Sequence, residues 1–328
     1  MIGVLLVNLG TPDAPTARAV RRYLAEFLSD PRVVEIPPLV WKPILHGLVL
    51  RTRPKKSAHA YAQVWSEAGS PLAAITRAQA EALQGAFGPE VIVDHAMRYG
   101  RPAIAERIAA LKEQGCDRIL VAPLYPQYCA ATTATANDTA FAALAAMRAQ
   151  PALRTLPDYH DDPAYIGALA DSVRESLAGL AFEPDALVVS FHGMPARTAE
   201  LGDPYYPQCL ATARLLSEAL GRALVVSFQS RFGRAKWLEP ATDAVLARLP
   251  GEGRARVAVV APGFAADCVE TLEELAIRGR ETFLGAGGAD FAYLPCLNAS
   301  PVGIAMLKIL IGRELAGWTD GAYRAVKE

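Results

Sequence analysis

Residues 185–191 read DALVVSF and run directly into His192-Gly193-Met194-Pro195. A short apolar run rich in Val and Leu, closed by a turn signal, predicts a buried strand of a parallel sheet. Three similar runs follow it, ALVVSFQ (223–229), RVAVVAP (256–262) and DFAYLP (290–295), with helical spacing between them. Four precede it: GVLLVNL (3–9), VIVDHAM (91–97), RILVAPLY (118–125) and ALRTLP (152–157), separated by Ala-, Glu- and Arg-rich stretches. The βαβ rhythm therefore occurs twice. LVNLGTP near the start matches LVVSFHGMP in position, and VAPLYP (121–126) matches VAPGF (260–264). The expected fold is α/β, with two similar Rossmann-like domains, each a doubly wound, parallel four-stranded sheet, facing a central cleft. In such sheets ligands bind beyond the carboxyl ends of the strands. A helical pattern over Asp162–Ala178 puts the boundary after residue 157, giving units 1–157 and 158–328. Leu307–Ala316 reads as a final helix, expected to pack back on the first unit.

Composition narrows the function classes. Thirty-three basic side chains against thirty-four acidic ones leave a charge of -1, so no global field favours nucleic acid. The five cysteines form no CxxC pair, which argues against both a disulfide framework and a structural zinc site and points to reducing cytoplasm. The apolar start at Ile2–Val7 lacks the basic segment of a signal peptide. Ile36–Leu50 is interrupted by Pro37, Pro38, Lys42, Pro43 and His46 and falls short of the roughly 20 residues that span a bilayer. Composition alone favours core for this stretch, with a greasy lip beside a pocket as the alternative. No P-loop or GxSxG run is present, and GAGGAD (285–290) fails the dinucleotide pattern.

The residues after each strand carry the chemistry. His192 ends its strand beside a turn, where an imidazole serves as ligand or base; a capping or buried histidine remains the alternative. After VVAPGF, the carboxylates Asp267, Glu270 and Glu274 are spaced three and four apart, which on an α-helix aligns them on one face. Like charges so placed repel by about 0.2–0.5 kcal/mol per pair. An acidic first turn favoured by the helix dipole accounts for Asp267 and Glu270, and Arg278 is a structural partner for Glu274. The functional alternative joins His192 and Glu270 as one nitrogen and one oxygen donor, a set that suits ferrous iron or zinc.

The ordered segments NLGTP (8–12), FLSDPRVV (27–34), MRYGRP (97–102), PLYPQY (123–128), SFHGMP (190–195), GDPYYPQC (202–209), SFQSRFGRAKWLEP (227–240) and GFAADCVETLEEL (263–275) resemble the ferrochelatase family. The resemblance implies a porphyrin, protoporphyrin IX, clamped between the two domains and loaded with ferrous iron as substrate to give haem. It implies His192 and Glu270 as the catalytic and metal-contacting pair, with Asp267 and Glu274 as a proton or metal relay. By the same resemblance Arg53, Tyr61, Ser70, Arg98, Tyr99, Tyr125 and Trp237 contact the porphyrin, and residues of about 33–70 form a lip that touches membrane transiently. Leu9 and Cys268 depart from some relatives, which have Tyr or Met and His there. No cysteine follows Cys296, so no 2Fe–2S cluster and no permanently bound cofactor are expected. An upstream haem-pathway enzyme is an expected partner. A non-catalytic tetrapyrrole or metal carrier, and a chelatase for another metal and tetrapyrrole, stand as alternatives.

Overall fold

Among the described residues every strand is parallel to its neighbours. The computed structural model describes residues 1–233 and 235–319, so Arg234 and the last residues of the expected second unit lie outside the described residues. The first sheet comprises β1 (Ile2–Gly10), β2 (Val91–Tyr99), β3 (Arg118–Pro123) and β4 (Ala152–Thr155), in the order β2-β1-β3-β4. The second comprises β5 (Ala186–His192), β6 (Leu224–Gln229), β7 (Arg256–Val260) and β8 (Asp290–Leu294), in the order β6-β5-β7-β8. The two orders are the same. Helices cover the faces, as parallel pairing requires when both sides of a strand are apolar.

In each sheet the chain first steps one way and then returns past its first strand, so the order reverses between β1 and β3 and between β5 and β7. Crevices open at the carboxyl ends of the strands at such points. The positional match between the two first strands has a steric cause. A Cβ on Gly10, the last residue of β1, would lie 1.9 Å from the Tyr99 carbonyl oxygen at the end of β2, and one on Gly193, after β5, would lie 2.4 Å from the Gln229 carbonyl oxygen at the end of β6. Neither position has room for a side chain.

Three long helices begin with the same device, a capping side chain followed by proline. Ser70 caps Pro71–Phe87, Asp162 caps Pro163–Ala178, and Ser300 caps Pro301–Leu315. The final helix thus starts six residues before the expected Leu307. Its Met306, Leu307, Leu310 and Ile311 are buried with Ile2, Val4 and Leu6 of β1 and with Tyr165, Ile166 and Leu169 of the 163–178 helix.

The stretch from Ile36 to Leu50 corrects the core reading. It forms a helix over Pro38–Ile44 and a π-helical turn over Leu45–Val49, and only Leu45 and Leu50 are buried. Leu39 is 92% and Leu48 61% exposed, with Val40 and Ile44 also exposed. No helix among the described residues is long and apolar enough to cross a membrane.

Candidate active site

His192 and Gln229 are register partners at the carboxyl ends of β5 and β6. The His192 Nδ1 lies 2.7 Å from the Gly193 carbonyl oxygen. A carbonyl only accepts, so Nδ1 carries the proton and donates, leaving the Nε2 lone pair for a base or ligand role. Gln229 is buried; its carbonyl accepts from the Ser190 hydroxyl at 2.8 Å, and its amide donates to the Glu270 main-chain carbonyl at 2.7 Å. The second switch point thus joins His192, at the end of β5, to the segment after β7 that carries Glu270.

Glu270 faces the first half of the chain. It lines a pocket of about 10 Å³ with Cys268 and Val269 on one side and Gly10, Thr11, Tyr61, Ser70, Pro71 and Leu72 on the other. Burial and the nearby Glu270 charge push both the Tyr61 hydroxyl and the Cys268 thiol well above their usual range. Burial, Tyr61 and Glu270 do the same to Tyr23. The carboxylate is therefore surrounded by neutral hydroxyl and thiol groups. Ser70 is buried with its oxygen committed to the backbone N–H of Ala73 at 3.2 Å. A pocket that admits about one water is far smaller than the several hundred Å³ of a ligand site.

A second cavity, of about 500 Å³, lies within the second half between the loop after β6 and the helix after Glu270. Glu274, Trp237, Ser230, Lys236 and Arg278 are among its lining residues. Glu274 accepts from the Ser230 backbone N–H at 2.7 Å and from its hydroxyl at 2.6 Å. These bonds hold Ser230 at φ 66°, a left-handed conformation unusual for a residue with a side chain. The Trp237 indole N–H donates to the Phe232 carbonyl at 2.9 Å, and its ring lies 5.0 Å from that of Phe232. Phe232 in turn carries the Arg53 guanidinium 4.5 Å above its ring. Arg53 comes from the helix Leu50–Val64 of the lip region, so this contact ties the two halves together.

Several expected site residues are placed elsewhere. Helical structure begins only at Val269 and becomes π-helical over Leu272–Gly279, so Asp267 does not share an α-helical face with Glu270 and Glu274. Asp267 is instead a buried acceptor for Thr271 at 2.9 Å, Tyr293 at 2.7 Å and Asn298 at 2.6 Å, which ties it to these neighbours rather than to the row with Glu270 and Glu274. Arg278 pairs chiefly with the buried Glu273 at 2.9 Å and reaches Glu274 only at 3.8 Å. Arg98 and Tyr99 turn toward Asp30. Both donate to Asp30, at 2.5 and 2.8 Å, and Tyr99 is fully buried. Tyr125 belongs to the core behind the first sheet, with Ile104, Ile108 and Ala136. Residue-by-residue reading missed Gln229 and Thr11, although each stands at a strand's carboxyl end in a segment already singled out, SFQS and NLGTP.

The family model for ferrochelatase matches residues 1–315. The chain belongs to the ferrochelatase family. It is 57% identical over 324 residues to a ferrochelatase of Rhizobium meliloti, covering 97% of this chain and 96% of that one. It is 55% identical to a ferrochelatase of an Azoarcus species, covering 96% and 88%. Among solved structures, the sirohydrochlorin chelatase SirB of Bacillus subtilis subspecies spizizenii, in complex with cobalt, aligns with a TM-score of 0.56 at 13% identity, over 97% of both chains. At that identity the likeness is one of fold, with two similar domains in each. Ferrochelatases and this more distant chelatase share the paired-sheet frame described above.

Proposed function

We propose that this enzyme, a lyase of haem biosynthesis, inserts ferrous iron into protoporphyrin IX through His192 and Glu270, with release of two protons. Inserting the ion requires two pyrrole N–H groups to lose protons while the iron sheds water. The observation that carries the reading is the 2.7 Å approach of His192 Nδ1 to the Gly193 carbonyl oxygen. The Nδ1 proton is committed to Gly193, so Nε2 is the atom that accepts a pyrrole proton or meets the ion. Glu270, held by Gln229, supplies the anionic partner.

The ion is substrate, and the donor set suits passage. Among the described residues no group of three or more His, Cys, Asp or Glu side chains converges on one point, whereas resident zinc sites use three or four protein ligands. Glu274 provides an outward acidic step at the larger cavity, and Trp237, Tyr61, Ser70 and Arg53 line the route by which the ring arrives. The narrow floor at Glu270 favours a ring that is bent rather than flat, and binding energy spent on bending lowers the barrier to insertion. The units 1–157 and 158–328 are the two jaws. The exposed Leu39, Val40, Ile44 and Leu48 form a lip that touches a membrane surface transiently, where a poorly soluble porphyrin collects. Five unpaired, buried cysteines support a cytoplasmic setting, and receipt of the porphyrin from an upstream haem-pathway enzyme fits the same lip.

Anaerobic incubation with ferrous iron and protoporphyrin IX, followed by the haem spectrum, tests the activity. Tight binding of porphyrin without a spectral change would point to a carrier. Loading of cobalt into another tetrapyrrole, with protoporphyrin left untouched, would point to a different chelatase. An N-alkylated, permanently bent porphyrin should inhibit more strongly than a flat analogue; equal inhibition removes the bending step.

A further inference from the structure

The pocket between the halves contains one group that the proposed chemistry does not use. Thr11 follows Gly10 at the carboxyl end of β1 and is 7% exposed, and its hydroxyl oxygen has no hydrogen-bond partner. The Tyr61 hydroxyl, pushed up by burial, feels it as a marginal hydrogen-bond partner that acts in the lowering direction, but the pair falls outside ordinary hydrogen-bond geometry. Buried hydroxyls without partners are rare in folded chains, because the lost hydration is not replaced.

The backbone fixes Thr11 over the pocket. Gly10 has φ 115° and sits against the Tyr99 carbonyl, while a Cβ on Gly100, at φ 83°, would lie 2.9 Å from the Thr11 carbonyl oxygen. The ends of β1 and β2 thus touch main chain to main chain. Thr11 is carried by the sheet itself rather than by a loose loop.

We propose that Thr11 and Tyr61 hold one water against the Glu270 carboxylate, and that Thr11 thereby positions Glu270. A volume of about 10 Å³ matches a single water, which needs two to four polar partners. The pocket supplies three. The water accepts from the Tyr61 hydroxyl and donates one hydrogen to the Thr11 oxygen and the other to the carboxylate. The Ser70 oxygen already accepts from the helix it caps, which leaves its hydroxyl hydrogen as a further donor at the pocket wall. Through this water the first half sets the aim of an acid group belonging to the second. The inference rests on the role proposed for Glu270, and Thr11 acts only through that side chain.

Thr11→Val keeps the shape and removes the hydroxyl. It should lower kcat about tenfold, equivalent to ~1.4 kcal/mol in the barrier, leave the KM for porphyrin within about twofold of wild type, and be rescued by Thr11→Ser. A high-resolution crystal structure of the wild-type enzyme should show a water within hydrogen-bonding distance of both the Thr11 hydroxyl and the Glu270 carboxylate. No water there, at a resolution that shows other buried waters, overturns the proposal, as does a Thr11→Val enzyme with undiminished kcat. If the valine variant does not fold, the wild-type water decides alone. Glu270→Gln with full turnover would remove the role of Glu270 while leaving the water in place, so the two failures are distinguishable.

Discussion

The side-chain amide of Gln229 donates to the main-chain carbonyl of Glu270 at 2.7 Å, across the carboxyl end of the second sheet. Because Gln229 is also the register partner of His192, one buried amide couples the two residues proposed to handle the protons and the ion. Gln229→Leu leaves the Glu270 carbonyl and the Ser190 hydroxyl short of a partner, at about 1–3 kcal/mol. The expected outcome is a lower melting temperature together with a fall in kcat larger than that of a surface variant of equal stability, checked by calorimetry and anaerobic turnover.

His192→Ala should reduce turnover by about 10²–10⁴, the range for loss of a positioned acid–base group. Porphyrin binding and the circular dichroism spectrum should stay near wild type, because the side chain projects from the end of a strand. Near-normal haem formation would remove His192 from the mechanism.

Arg98 and Asp30 are a structural pair. Burial raises the Asp30 carboxyl, but hydrogen bonds from Thr135, the Arg32 backbone and Tyr99, with the Arg98 charge, outweigh it and hold the group below its ordinary value. A depressed carboxyl contributes stability above its unfolded pKa of about 3.9 and loses it as pH falls through the folded value. Arg98→Ala should therefore destabilise by about 1.5–3 kcal/mol at neutral pH, since Thr135, Tyr99 and the Arg32 backbone still serve the carboxylate, and the gap to wild type should shrink below about pH 4. Denaturant titrations at several pH values measure this. A selective loss of porphyrin affinity at unchanged stability would restore Arg98 to the ligand site.

Arg53 over Phe232 joins the two halves and is worth about 0.5–1 kcal/mol at an exposed site. Phe232→Ala should accelerate porphyrin association by about two- to fivefold, read by stopped-flow fluorescence quenching. Slower association would show that Phe232 guides the ring rather than holding the halves together.

Leu39 and Leu48 should govern recovery on lipid. Replacing both with Ser should weaken co-sedimentation with vesicles while leaving turnover of detergent-dispersed porphyrin within about twofold. Unchanged sedimentation would separate the lip from membrane contact.

The frame was legible because β-branched residues in short runs have few alternatives once both faces of a strand are covered. The placement of His192 at a strand end was legible for a related reason, since a short apolar run closed by a turn signal marks where the strand stops. The acidic row was misjudged at Asp267 because α-helical spacing was assumed for a segment whose helix starts later and follows i→i+5 bonding. The positions of Arg98 and Tyr99 depended on Asp30, 68 and 69 residues away, and a local pattern contains no trace of such a partner. Exposure of Leu39 likewise follows from how the lip helix stands off the body. Its residue types alone favour burial.

The helix Pro301–Leu315 packs on the helices Pro71–Phe87 and Pro163–Ala178 and on β3, and shares one apolar core with Ile2, Val4 and Leu6 of β1. During synthesis β1 emerges before this helix, and the other seven strands of the two sheets are made in between. The amino-terminal half therefore waits, with part of its sheet face uncovered, until the last helix arrives. A chain cut short before residue 301 would keep every strand and still expose that face to chaperones and proteases.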